Sequence, residues 1–105
     1  MFARTVSFNL KPGLAGEFTR LLDQSVLPML RKQKGFQDEI SLVAANKADA
    51  VGISMWDLQE NAETYARSAY ADVLKTLAPV VEGTPQVQTY EVSSSTLHKI
   101  PVRAV

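Results

Sequence analysis

The spacing of hydrophobic residues along this chain switches between strand and helix periods, and this switching fixes the order of its elements. Apolar residues alternate with polar ones up to Leu10, which is typical of a β-strand. The sequence Lys11-Pro12-Gly13 ends that strand, because proline lacks a ladder donor and glycine permits a turn. From Leu14 the apolar residues recur at helical spacing. Pro28 lies within this stripe, so we expect a kink about one turn before it and a helix end at Gly35.

The rest of the chain adds two strands, a second helical segment and a last strand. Strands are predicted at residues 37–45 and 50–56, and the polar turn between them makes an antiparallel hairpin. A helical pattern covers residues 60–81, and Pro79 bends or ends it. A last strand is expected at residues 86–93. The order βαββαβ predicts an α+β, ferredoxin-like fold with helices on one face of a four-stranded antiparallel sheet.

The second face of the predicted sheet points to a partner. Val51, Ile53 and Met55 fall on one side of the third strand and Trp56 on the other, so both sides carry apolar groups. A sheet with one face in water alternates more cleanly. The two predicted helical segments can cover only one face of the sheet. A second copy of the sheet is the simplest cover, and we predict a homodimer through the open sheet face.

Composition narrows the classes of function. The chain has 105 residues, the size of one domain, and its 11 Lys and Arg balance its 11 Asp and Glu. A zero net charge argues against nucleic-acid and anionic-membrane partners. With no Cys and a single His, cysteine nucleophiles and multi-histidine metal sites are excluded, and we expect no metal. No membrane span or secretory signal is recognisable, so we expect a cytoplasmic protein.

Three segments, taken in order, resemble a known family. The segment VLPMLRKQKGFQDEISLV ends a helix in Gly-Phe before strand two, and ISMWDLQENAETYA closes strand three with Trp56 before an acidic helix start. The segment LAPVVEGTPQVQTYEV puts a proline-containing helix before the last strand. Together they are similar to the antibiotic biosynthesis monooxygenase (ABM) domain of the dimeric α+β barrel superfamily. The resemblance covers about residues 2–95 and implies a ferredoxin-like dimer with a pocket between helices and sheet.

The same resemblance implies the extent of the domain. Residues 1–95 form the ABM-like, ferredoxin-like domain, and residues 96–105 form a C-terminal tail. Ile100, Val102 and Val105 give that tail apolar side chains with which to pack on the partner subunit.

Several functions are compatible with the resemblance. The first is a cofactor-independent monooxygenase, without metal or flavin, that acts on a small aromatic or quinol-like molecule. The alternative is a non-catalytic small-molecule-binding or stress-associated dimeric protein of the same fold. A third, a purely structural interaction domain, predicts a collapsed pocket. Haem degradation is disfavoured, because the Asn, Trp and His of haem-degrading relatives fall on Val6, Tyr65 and Lys75. No dinucleotide, P-loop or paired-carboxylate signature is present.

Five side chains are candidates for the site. Asn9, Tyr65, Tyr70 and His98 are the catalytic candidates, and Trp56 joins Asn9, Tyr65 and Tyr70 as a pocket candidate. The Asn9 amide and the two phenols can donate to a substrate oxygen, or they can be satisfied by backbone and water. Trp56 either walls a ligand or packs in the core. His98 is the ready-made general base if the tail folds over a pocket, and a packing residue otherwise.

Overall fold

A four-stranded antiparallel sheet organises the computed structural model, which describes residues 1–100. Its strands are β1 (Phe2–Leu10), β2 (Phe36–Val43), β3 (Asp49–Trp56) and β4 (Val81–Glu91), in the spatial order β2-β3-β1-β4. In the sheet, β3 separates β1 from β2, and β1 separates β3 from β4. A helical crossover therefore connects β1 to β2, and another connects β3 to β4. This is the ferredoxin-like α+β arrangement that the hydrophobic pattern predicts.

The first crossover is one long helix with a local change of pitch. It consists of α1 (Ala15–Leu21), a π-helical turn (Leu22–Val26) and α2 (Leu27–Arg31). Pro28 has no N–H, so the turn before it loses an intrahelical hydrogen bond, and the helix widens there. The helical pitch therefore changes one turn before Pro28, where the sequence predicts a kink.

The second crossover is broken where a continuous helix over residues 60–81 is expected. It consists of α3 (Gln59–Ala66), α4 (Tyr70–Leu77) and a short 3₁₀ turn (Ala78–Val80). The Ser68 hydroxyl donates to the Thr64 carbonyl oxygen at 2.7 Å, and the Ser68 amide bonds only three residues back. Such local bonds compete with the α-helical pattern. The break makes Tyr70 the first residue of α4.

Strand β4 begins earlier than the expected residue 86, because a β-bulge accommodates the turn residues that precede it. Ser7 lies opposite Gln86 and Asn9 opposite Glu82, so three residues of β4, 83–85, stand against Phe8 alone, an excess of two on β4. The strand lies at the edge of the sheet, where a proline removes no ladder bond that the sheet needs.

The core lies between the helices and one face of the sheet. On β1 the side chains of Val6, Phe8 and Leu10 are buried, whereas Ser7 and Asn9 are exposed. The buried face packs against side chains of both crossovers: Phe18, Leu22, Val26, Leu30, Ala62, Tyr65, Val73 and Leu77. Within residues 1–100 no helix is long and apolar enough to cross a membrane.

The opposite face of the sheet is apolar and open in the single chain. Ile40 is 41% exposed and Leu42 is 52% exposed, and Ile53 faces the same way from the neighbouring strand. The described part of the tail runs from β4 at one edge of the sheet to β2 at the other, where His98 pairs with Asp38. The tail residues Val102 and Val105 lie outside the described residues.

Candidate functional site

A small cavity lies between the helices and the buried face of the sheet. Its free space is about 40 Å³, which holds water but is smaller than the roughly 150 Å³ cavity known to take up benzene. One end is polar, and it is formed by Arg4, Glu39, Ser54, Tyr65 and Tyr70. The other end is apolar, and it is formed by Phe8, Leu22, Val26, Leu30, Val73 and Leu77. The cavity is therefore amphipathic.

Strand register builds the polar end. Arg4 on β1 lies opposite Ser54 on β3, and Ser54 lies opposite Glu39 on β2. Side chains at paired positions project from the same face, so the three form one row across the sheet. Four residues further along β1, on the same face, Phe8 lies opposite Ala50, which gives the apolar end.

Arg4 places a guanidinium inside this cavity. The residue is only 4% exposed. Its guanidinium carbon lies 4.0 Å from the centre of the Tyr70 ring and 5.4 Å from that of Tyr65, within cation–π range. Arg4 is not among the candidate residues predicted from the sequence. A signal for it existed, because Arg4 is a charged residue on the same parity of β1 as Val6 and Phe8.

Glu39 is a second charged group at the polar end. Its carboxylate accepts a hydrogen bond from the Ser41 hydroxyl. Burial raises the pKa of the Glu39 carboxyl; the Ser41 bond opposes this, and the charge of Asp23 adds to it. The neutral acid thus persists to higher pH than usual. Glu39 is not among the predicted candidates either, because its neighbours across the sheet depend on strand register.

Tyr65 lines the cavity, and its surroundings keep its phenol neutral. Burial raises the pKa of the Tyr65 phenol to about 12, although the nearby Arg4 charge acts in the opposite direction. Tyr70 lies beside it at the start of α4, with ring centres 5.9 Å apart. The helix break thus brings two phenols together at the polar end, where each can donate a hydrogen bond to a ligand oxygen.

Trp56 supports the cavity from behind instead of lining it. The indole is fully buried and stacks on Tyr65 with ring centres 5.0 Å apart and planes 29° apart. The Phe36 ring packs against the indole in an edge-to-face arrangement, with ring centres 5.6 Å apart. The indole N–H donates to the Ser54 hydroxyl oxygen at 2.9 Å. Trp56 therefore fixes two residues of the polar end, Tyr65 and Ser54.

Two predicted site residues lie outside the cavity. Asn9 is exposed on the opposite face of β1, because strand side chains alternate and the even positions face the helices. His98 pairs with Asp38, which precedes Glu39 on β2 and therefore faces away from it. The structure brings Tyr65 and Tyr70 together but not Asn9 or His98. Of the candidate residues, Tyr65 and Tyr70 line this cavity, and Asn9 does not.

A larger surface cleft adjoins the cavity at Tyr65. It offers about 340 Å³ and is lined by Gln33, Lys34, Glu60, Asn61, Thr64 and Tyr65. Because the Tyr65 side chain belongs to both linings, its ring is the wall between the cleft and the cavity. No group of three or more His, Asp or Glu residues able to hold a metal occurs in residues 1–100.

Comparisons with known proteins locate the fold. No protein-family model matches the chain, and no curated protein gives a significant match. A monooxygenase from the gene ActVA-Orf6 of Streptomyces coelicolor, solved with Nanaomycin D, superposes with a TM-score of 0.76 at 17% identity, covering 93% of this chain and 92% of its own. A putative antibiotic biosynthesis monooxygenase from Bordetella bronchiseptica gives 0.76 at 14% identity, covering 89% and 97%.

Two further structures complete the comparison. SnoaB, a cofactor-independent oxygenase from Streptomyces nogalater, gives a TM-score of 0.73 at 14% identity and covers 92% of this chain and 97% of its own. A protein of unknown function from Nitrosomonas europaea gives 0.74 at 17% identity, covering 96% and 94%. The chain thus has the ABM-like fold, as its sequence segments indicate, in common with named monooxygenases and with a protein of unknown function.

Proposed function

We propose that this protein is a cofactor-independent monooxygenase that acts on a small aromatic or quinol-like molecule in the cavity between helices and sheet. The observation that carries the proposal is the polar end of that cavity, where two phenols and a carboxyl group face an otherwise apolar space. The fold it shares with named oxygenases supports the same conclusion.

The proposed reaction requires few functional groups from the protein. A phenolic substrate that has lost its proton is rich enough in electrons to react with dioxygen. One oxygen atom enters the ring carbon, the other leaves as water, and the phenol is oxidised to a quinone. The protein excludes water and supplies donors to the developing negative charge. Tyr65 and Tyr70 are the proposed donors, and Glu39, with its raised pKa, is the proposed acceptor of the substrate proton.

Substrate entry requires the cavity to widen, because about 40 Å³ does not hold an aromatic ring. Two interruptions of the helices border it. Leu22 and Val26 are the ends of the π-helical turn, and Tyr70 follows the break between α3 and α4. Helix interruptions of this kind are frequent at functional sites. We propose that movement at these interruptions admits the substrate.

A homodimer through the open sheet face belongs to the proposal. Exposed apolar side chains on that face, among them Ile40 and Leu42, are what a second copy of the sheet would cover. The proposal retains a domain of residues 1–95 and a tail of residues 96–105 that packs on the partner subunit. It also retains a cytoplasmic location.

The second candidate is a non-catalytic small-molecule-binding or stress-associated dimer. The small free volume favours it, because a ligand smaller than a fused-ring phenol suits the cavity better. A purely structural interaction domain is the weaker third candidate, because a collapsed pocket would have no need of a charged row across the sheet.

Oxygen consumption by purified, chelator-treated protein tests the proposal against a panel of hydroquinones and polycyclic phenols. We expect uptake above the uncatalysed rate that survives chelation and falls about tenfold or more in Tyr65→Phe, as for loss of a transition-state donor. Tyr90→Phe is the matched control, since the Tyr90 phenol is 49% exposed on β4. Binding of panel compounds without any oxygen uptake would favour the second candidate, and neither binding nor uptake would favour the third.

A further inference from the structure

Arg4 is a largely enclosed residue whose guanidinium has no carboxylate partner among residues 1–100, and whose nitrogens still reach open space. The residue is 4% exposed, and its side chain forms neither a hydrogen bond nor an ion pair with any other residue in the range 1–100. Its contacts are the faces of Tyr65 and Tyr70.

Such an arrangement is unfavourable unless something else supplies a negative group. Removing a cation from water is costly, and buried charges in proteins are normally paired. Cation–π attraction to the two tyrosine rings offsets part of this cost but satisfies none of the five N–H donors. Those donors line the cavity and are available to a ligand.

Glu39 does not fill this role in the unliganded cavity. The register places it one strand beyond Ser54, two strands away from Arg4, and no ion pair joins them. The Glu39 carboxylate is engaged by the Ser41 hydroxyl instead. Burial also raises the pKa of Glu39, which weakens it as a counterion.

We propose that Arg4 is the specificity-determining residue of the cavity and that it binds an anionic oxygen group, a carboxylate or a phenolate, on a ligand with an apolar ring. The inference rests on the proposed function only in that a small molecule occupies the cavity. It requires no reaction with oxygen. The ligand's negative group lies against the guanidinium, and its ring points along β1 toward Phe8 and Leu77.

The two ends of the cavity support this orientation. Arg4 and Phe8 are four residues apart on one strand, a distance of roughly 13 Å at the usual rise. The side chains occupy part of that distance, and a ring with an anionic substituent fits along the remainder once the cavity has widened to admit it. A guanidinium binds a carboxylate through two parallel hydrogen bonds, and a phenolate through one or two. Carboxylate and phenolate are therefore the two sources that an experiment has to separate.

Isothermal titration calorimetry with three single-ring probes tests the inference. The probes are para-nitrobenzoate, its uncharged amide para-nitrobenzamide, and para-nitrophenol above its own pKa. We expect wild-type protein to bind the benzoate, the phenolate or both at least about tenfold more tightly than the amide, the usual size of a charge-assisted bond. Arg4→Met, which keeps the length and removes the charge, should lose that preference. Arg67→Met, an exposed arginine at the end of α3, should retain it.

Three results would overturn the inference: equal affinity of wild-type protein for the anions and the amide, no binding of either anion, or an undiminished preference in Arg4→Met. Preference for the phenolate alone or the benzoate alone identifies the source. If Arg4→Met does not fold, Arg4→Lys retains the charge, and it should reduce the benzoate preference by losing the second hydrogen bond. An anion preference without oxygen uptake would preserve this inference and remove the oxygenase proposal.

Discussion

The indole of Trp56 stacks on the phenol ring of Tyr65 with 5.0 Å between ring centres, and the same indole donates its N–H to Ser54. The contact links the end of β3 to α3. Because Tyr65 lines the cavity and Trp56 does not, the tryptophan holds the site in place from the core side. It is a positioning residue, and its removal should lower the free energy of unfolding.

Trp56→Ala should lower the free energy of unfolding by roughly 3–5 kcal/mol, because it empties a fully buried site. Urea denaturation measures this change. Ligand affinity per folded molecule should fall as well, since Tyr65 and Ser54 lose their support. Trp56→Phe, which keeps an aromatic ring but lacks the indole N–H, serves as the control. Unchanged stability in Trp56→Ala would contradict the buried position.

Tyr65 should make the protein sensitive to alkaline pH. Its pKa is raised from 10.0 to about 12, so the folded state holds the proton more tightly than the unfolded state. The stabilisation is fully present below pH 10 and is lost as the pH rises toward 12, by about 2–3 kcal/mol. Denaturant titrations at increasing pH should show a steeper loss in wild-type protein than in Tyr65→Phe. Parallel curves for the two proteins would show that burial does not raise the pKa of the Tyr65 phenol.

Gly35 should tolerate no side chain. It adopts φ +82°, and a Cβ built on it meets the Asn61 Cβ at 2.8 Å and collides with the Asp57 carboxylate. We expect Gly35→Ala to lower the free energy of unfolding by roughly 3 kcal/mol or more, through both strain and overpacking.

Two other glycines separate these causes. Gly13 has φ +76° but open space around it, so Gly13→Ala should cost only about 1–2 kcal/mol. Gly16 lies in α1 with open space, and Gly16→Ala should stabilise by about 0.5–1 kcal/mol. Thermal melts of the three variants give the comparison. A Gly35 variant no worse than the Gly13 variant would rule out the close contact.

The proposed dimer predicts that a charge on the open sheet face separates the subunits. Leu42→Arg should convert a dimer into a monomer, because an unpaired guanidinium would be buried between two sheets. Leu58→Arg is the matched control, since both leucines are 52% exposed and Leu58 precedes α3, away from that face. Sedimentation velocity reports the mass directly. A wild-type protein that is monomeric at all concentrations would contradict the proposal.

Most of the fold could be predicted from the sequence, whereas the details of the helices could not. Alternation along β1 and the helical stripe after Gly13 predict their elements, since burial on one face imposes a period of two or of about 3.6 residues. The break at Ser68 escaped prediction, because a single hydroxyl competing for a carbonyl leaves no mark on hydrophobic periodicity. That break decides where Tyr70 lies.

The sequence by itself determined the order of the elements, the apolar character of both sheet faces and the presence of two tyrosines in the second helical segment. Only the tertiary structure decided that Arg4, Ser54 and Glu39 form one row and that Asn9 faces away from it. The reason is that periodicity is local, whereas register depends on pairing between distant segments and on bulges, such as the one that shifts β2 against β3 between Phe36 and Asp38.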